Sequence, residues 1–166
     1  MTGKIRHQAV NGHRILKAEG DVRVSQSPAL SHYLESLKSD EHLQSFVIDL
    51  SEAESLDSTA LGLIAKIAIY TEAKFGFKPI VFDASEDVSR IIRSMGFEKI
   101  LVMETRGGVE AERLEEIDCD KVPDCDLRQA VLDAHRTLMS LCPENWDSFS
   151  DLVEALESEL GSAASR

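Results

Sequence analysis

Apolar positions along the chain switch between a period of two and a period of three to four. Lys4 to Val10 and His13 to Glu19 mix polar and apolar side chains on either side of Asn11-Gly12, a dipeptide that favours positive φ at a tight turn. The pattern predicts two short antiparallel strands. Ser27-Pro28 then opens a segment where Ala29, Leu30, Tyr33, Leu34 and Leu37 recur at helical spacing; Pro28 suits a first turn, where its missing N–H has no partner anyway. The nearly continuous apolar run Ser45 to Leu50 predicts a strand buried on both faces. A polar loop, Ser51 to Leu56, leads into Asp57-Ser58-Thr59 and a helix bearing Ala60, Leu61, Leu63, Ile64, Ile67, Ala68 and Tyr70. That helix is apolar round most of its surface, is expected to be largely buried, and is stopped by Lys78-Pro79.

Ile80-Val81-Phe82 predicts another buried strand, with Phe75 and Phe77 closing the core before it. Ser85-Glu86-Asp87 opens a helix with Val88, Ile91, Ile92 and Met95 on one face; Gly96 ends it, and Ile100 to Met103 forms the last strand. Strands alternating with helices over short connections argue an α/β domain, a mixed sheet flanked by helices, over residues 1–104. Gly107-Gly108 and the charged run Glu110 to Asp126 contain few core-forming residues, so 105–125 reads as an acidic linker. Beyond it, over 126–161, Asp126 caps a helix bearing Leu127, Ala130, Val131, Ala134, Leu138 and Leu141. Ser148-x-x-Asp151 signals a second, with Phe149, Leu152, Val153, Leu156 and Leu160 on one face. Joined by Cys142-Pro143-Glu144-Asn145, they predict a helical hairpin. Neither helix can bury its stripe alone, so the hairpin must pack internally, on the α/β domain, or on another protein.

Charge divides the chain in the same place. Of 166 residues, 18 are Lys or Arg and 30 Asp or Glu, a net −12; residues 1–103 carry −2 and residues 104–166 carry −10. A surface so acidic repels phosphate backbones and anionic headgroups, so neither nucleic acid nor membrane is an expected partner. The first residues carry no apolar run resembling a signal peptide, and Leu61 to Ala65, broken by Lys66, is far too short to span a bilayer. With three cysteines and no CxxC pair, the expected setting is the cytoplasm. Cys119, Cys125 and His135 match no familiar zinc spacing, and the five scattered histidines are expected to face solvent. No catalytic constellation and no cofactor site is legible, so an enzyme is not expected.

Chemistry could sit where the buried strand hands over to the second helix. A hydroxyl at this helix start is expected to be exposed and free, lies beside unpaired backbone N–H groups, and can accept a phosphate without disturbing the core. On residue types alone, Asp57, Ser58 and Thr59 read first as nothing more than a helix cap. The company they keep points further. Phe46-Val47-Ile48-Asp49-Leu50 followed by Leu56-Asp57-Ser58-Thr59-Ala60-Leu61-Gly62, with Gly20-Asp21-Val22, Pro28-Ala29-Leu30 and Met95-Gly96-Phe97-Glu98-Lys99-Ile100-Leu101, resembles the STAS family, the sulfate transporter and anti-sigma factor antagonist domain, across residues 4–103.

The resemblance implies a phosphoregulated partner switch, with Ser58 the residue phosphorylated by a serine kinase and Thr59 a secondary candidate. The unmodified protein would bind an anti-sigma factor or switch kinase through Asp21, Arg23, Asp57, Ser58, Thr59 and Leu61. Phosphorylation would release it, and a PP2C-type phosphatase would reset it. Ala60 replaces the more usual Gly, and Arg23 stands where many antagonists carry an acidic residue, which leaves the partner's identity open. Two alternatives stand beside this one. A STAS scaffold subunit of a transport or signalling complex would use Ser58 only as a cap; a receiver-type domain, phosphorylated on Asp49 or Asp57, lacks the acidic cluster that would hold Mg²⁺.

Overall fold

The computed structural model describes residues 2–82, 85–104, 113–122 and 126–164. Strands β1 (Lys4–Val10) and β2 (His13–Val22) form the expected hairpin, with Val10 opposite His13 and both Asn11 and Gly12 at positive φ. Helix α1 (Ser27–Lys38) crosses to β3 (Ser45–Leu56), which lies parallel to β2; α2 (Ser58–Phe75) crosses to β4 (Ile80–Phe82); α3 (Glu86–Ser94) crosses to β5 (Val102–Glu104). A two-residue strand, β6 (Glu115–Glu116), pairs antiparallel with β1, giving a six-stranded mixed sheet in the order β5-β4-β3-β2-β1-β6. Helices α4 (Leu127–Met139) and α5 (Pro143–Ala164) follow.

Alternation along the strands sends Ile5, Leu16, Ala18, Phe46, Ile48 and Leu50 into one continuous core with Leu30, Tyr33, Leu34 and Leu37 of α1 and Leu61, Ile64 and Ile67 of α2. Tyr33 packs its ring on Phe46, and its buried hydroxyl is pushed up to about 12 by desolvation. Other side chains of β1 to β3 make ion pairs, Arg6 with Glu19 and Lys17 with Glu52.

Several boundaries differ from the sequence pattern. Ser51 to Leu56 is not a loop: β3 runs through it, because β2 continues alongside as far as Val22 and the ladder Glu19–Glu52, Gly20–Ala53, Asp21–Ser55 and Val22–Leu56 absorbs two register shifts. Helix α2 ends at Phe75, with Gly76 in the left-handed conformation that closes a helix, so the stop precedes Lys78-Pro79. Ile100 and Leu101 are buried at the end of a short 3₁₀ turn, and the last parallel strand starts only at Val102. Helix α5 starts at Pro143 and not at Ser148, since a proline is well placed in a first helical turn. Part of the stretch read as a linker supplies β6; Gly107, Gly108 and Cys125 lie outside the described residues.

The hairpin docks on the α/β domain. Helix α4 lies along α2, and Ala130, Ala134 and Leu138 are buried. This second cover explains why α2 is apolar nearly all round: one side faces the sheet and the other faces α4. The turn between α4 and α5 is pinned to α3, where the buried Asn145 side-chain amide donates to the carbonyls of Met95 (2.9 Å) and Leu138 (2.6 Å).

Candidate functional site

The parallel strands β2 and β3 end side by side, and their C-terminal ends place the Gly20–Gln26 segment against the start of α2. Asp57 fastens the two together. One carboxylate oxygen accepts from the Ala60 N–H (2.8 Å), capping α2, and the other accepts from the Val24 N–H (2.8 Å); its own N–H donates to the Val22 carbonyl (3.1 Å). Asp57 is therefore more than a cap: it sets the loop carrying Arg23 relative to Ser58. Next to it the Ser55 hydroxyl donates to Asp21 (2.7 Å). That bond, chiefly, holds the Asp21 carboxyl below its ordinary value; desolvation opposes it and the Arg23 charge adds to it.

Of the six residues implied as partner-facing, Arg23 is exposed, and Asp21, Asp57 and Ser58 are half-buried. Thr59 and Leu61 are buried and take no part in the surface of this arrangement. Leu61 lines a cavity of about 220 Å³ with Glu54, Ser55, Leu56, Asp87, Val88 and Ile91, between the end of β3 and α3. Asp49 is fully buried, its carboxylate accepting from the Ser51 N–H and hydroxyl (2.9 and 2.6 Å). Of the two acids weighed as phosphate acceptors, Asp57 uses both oxygens to cap α2 and hold the Val24 N–H, and Asp49 is sealed from solvent. Among the described residues no group of three metal-ligating side chains gathers.

Ser58, expected to present a free hydroxyl, is already partnered. Its Oγ lies 2.8 Å from Nε2 of His135, on α4. The other ring nitrogen, Nδ1, lies 2.7 Å from the Val131 carbonyl, which can only accept; in the neutral ring Nδ1 carries the proton and Nε2 accepts from the Ser58 hydroxyl. The ring also meets Phe149 of α5 edge-on, 5.0 Å between centroids. His135 is 2 % exposed, which corrects the expectation that the histidines face solvent. The sequence held one signal for it: His135 falls beside Ala134 and between Val131 and Leu138, on the stripe that α4 must bury.

The close approach that permits this bond is made at Gly62, one turn along α2 from Ser58. A Cβ at Gly62 would lie 2.3 Å from the Ala134 carbonyl oxygen and 2.6 Å from its Cβ, so only glycine lets the α4 backbone come so near. One turn further, Lys66 pairs with Asp133 (3.4 Å). Three successive residues of α4 thus meet three successive turns of α2.

Comparison with known proteins locates the fold. The STAS domain family model matches residues 4–111. No curated protein matches the chain. Among solved structures, similar folds are an anti-sigma factor antagonist from Mycobacterium paratuberculosis (21 % identity, 64 % of this chain and 88 % of that one, TM-score 0.54) and a candidate anti-sigma factor antagonist from Thermotoga maritima (18 %, 62 % and 87 %, TM-score 0.54). A third is the Bacillus cell fate determinant SpoIIAA in its phosphorylated form (11 %, 61 % and 92 %, TM-score 0.50). Each covers most of its own length but leaves more than a third of this chain unmatched. Among the described residues no helix is long and apolar enough to cross a membrane. The family match spans well over half of the chain and ends before α4 begins: the chain belongs to the STAS domain family, and α4 and α5 lie beyond the part that defines it.

Proposed function

We propose that this protein is a phosphoregulated anti-sigma factor antagonist. In its unmodified form it binds an anti-sigma factor or switch kinase through the surface around Asp21, Arg23, Asp57 and Ser58, and phosphorylation of Ser58 ends that association. The observation that carries this reading is the position of Ser58: it is the first residue of α2, directly after its Asp57 cap, and Asp57 ties it to the Arg23 loop. Adding roughly −1.5 to −2 charge there rewrites the electrostatics of both segments without entering the sheet core. A PP2C-type phosphatase would reset the switch.

The test is incubation with ATP and each serine kinase of the host that accompanies an anti-sigma system, followed by peptide mass spectrometry. Phosphate on Ser58, absent in Ser58→Ala, is the expected result. An unmodified Ser58 with every kinase, together with capture of a transport subunit from native lysate, would instead favour the scaffold reading.

A further inference from the structure

The kinase target of the proposed switch is partly covered, and its hydroxyl bonded, by the chain's own C-terminal hairpin. We infer that α4 and α5 form an intramolecular gate over Ser58: the hairpin must lift before the hydroxyl can be phosphorylated, and phosphate at Ser58 prevents it from closing again. The inference rests on the reading of Ser58 as the modification site and adds its regulation.

In the closed arrangement the half-buried Ser58 hydroxyl is already taken by a partner on α4. Ser58 Oγ donates to a ring that is 2 % exposed, held from behind by the Val131 carbonyl and from the side by Phe149. In the phosphorylation itself, the γ-phosphoryl group of ATP forms a bond to Ser58 Oγ, the bond from that phosphorus to the bridging oxygen of ADP breaks, and the hydroxyl proton passes to the kinase's general base. An attacking oxygen that is half-buried and bonded to His135 must leave that partner before it can line up with a bound ATP, so the kinase acts on the open population.

Once made, phosphoserine 58 places three oxygens where His135 Nε2 sits. The ring has little room to turn aside, because the Val131 carbonyl and Phe149 hold it on its far side, so relief comes from α4 moving away from α2. Charge acts in the same direction. Lys66, two turns along the same face of α2, is paired with Asp133, and residues 126–161 hold eight carboxylates against two arginines. The hairpin's excess of carboxylates disfavours a dianion beneath it, although the N-terminus of α2 itself attracts the phosphate. The pin at Asn145 is separate from the gate: it holds the α4–α5 turn to α3 and so keeps the lifted hairpin close by.

Hydrogen–deuterium exchange of the full chain tests the gate without a kinase. Three proteins are compared: wild type, protein with phosphoserine installed at position 58 during translation, and Gly62→Ala, which wedges α4 away without adding charge. In the wild type the amides of residues 131–139 should exchange slowly. Phosphoserine at 58 and Gly62→Ala should each speed them at least ten-fold while amides of β2 and β3 stay protected. An unprotected α4 in the wild type, or an α4 that stays as protected or becomes more so with phosphoserine at 58, overturns the inference. If the phosphoserine protein also loses protection in β2 and β3, Gly62→Ala decides alone, and an unchanged α4 there overturns it. Failure of the phosphorylation reading looks different: Ser58 stays unmodified by every kinase while the exchange pattern holds.

Discussion

Ser58 and His135 stand 77 residues apart in the chain and 2.8 Å apart in the fold. One begins the second helix of the STAS domain; the other belongs to a helix outside the stretch that defines the family. Their bond couples the candidate regulatory hydroxyl to the docking of the C-terminal hairpin. Cutting it leaves a buried polar atom without a partner on the side that remains, and that asymmetry makes it measurable.

Ser58→Ala should cost about 1–3 kcal/mol of unfolding free energy, the penalty for orphaning His135 Nε2 in a buried site. His135→Ala should cost at least as much, since it also removes the edge contact with Phe149. In the double variant the two losses should not add, leaving a coupling of about 0.5–3 kcal/mol. Urea unfolding of the four proteins checks this; strict additivity would mean that the two side chains do not meet in solution.

Gly62→Ala and Gly161→Ala should differ in sign. Alanine is preferred to glycine in a helix interior by about 1 kcal/mol. At Gly161 nothing lies within 4 Å of the added Cβ, so that gain should appear as a neutral to slightly stabilised protein. At Gly62 the Cβ meets the Ala134 backbone, and the overlap should reverse the sign to a loss on the order of 1–3 kcal/mol. Thermal unfolding of both variants against wild type reads the difference.

Asp57→Ala removes the cap of α2 and the acceptor for the Val24 N–H together, and should cost about 1–2 kcal/mol. Asn145→Ala leaves the Met95 and Leu138 carbonyls without their donor and should cost a similar amount. The two should part in exchange measurements. Asp57→Ala loosens residues 22–26, whereas Asn145→Ala loosens the α4–α5 turn; the same pattern in both would contradict their separate roles.

His7 gives the fold a pH dependence of predictable sign. Burial pushes its imidazole below the ordinary value of 6.5, Glu115 opposes that, and Arg14 and His32 add to it. Between the lowered value and 6.5 the unfolded chain binds more protons than the folded one. His7 therefore contributes its full share of stability above about pH 6.5, and that share is lost as the pH falls through the folded value. His7→Gln should flatten the slope of unfolding free energy against pH over this window, followed by urea titrations at successive pH values. A slope as steep as the wild type's would assign it to other groups.

Most elements were legible because their causes are local. Asn11-Gly12 turns because those residues tolerate positive φ, α1 begins where Pro28 loses nothing, and α2 begins where Asp57 can accept from Ala60. The unreadable parts depend on a neighbour. Ser51 to Leu56 is polar enough for a loop and becomes strand only because β2 continues beside it through two register shifts. Glu115–Glu116 carries no strand signal and pairs only because β1 presents a free edge.

The candidate site divides along the same line. Sequence by itself determined the Asp57-Ser58 block at a helix start, the apolar stripes of the last two helices, and the concentration of acidity in the C-terminal part, since composition and periodicity are written residue by residue. Tertiary structure alone decided that His135 is buried, that Gly62 and Ala134 bring two backbones into contact, and that the hydroxyl expected to be free is held. A helix can show which face it must bury; which surface it buries that face against depends on chain segments far away in sequence, and is settled only when both are folded.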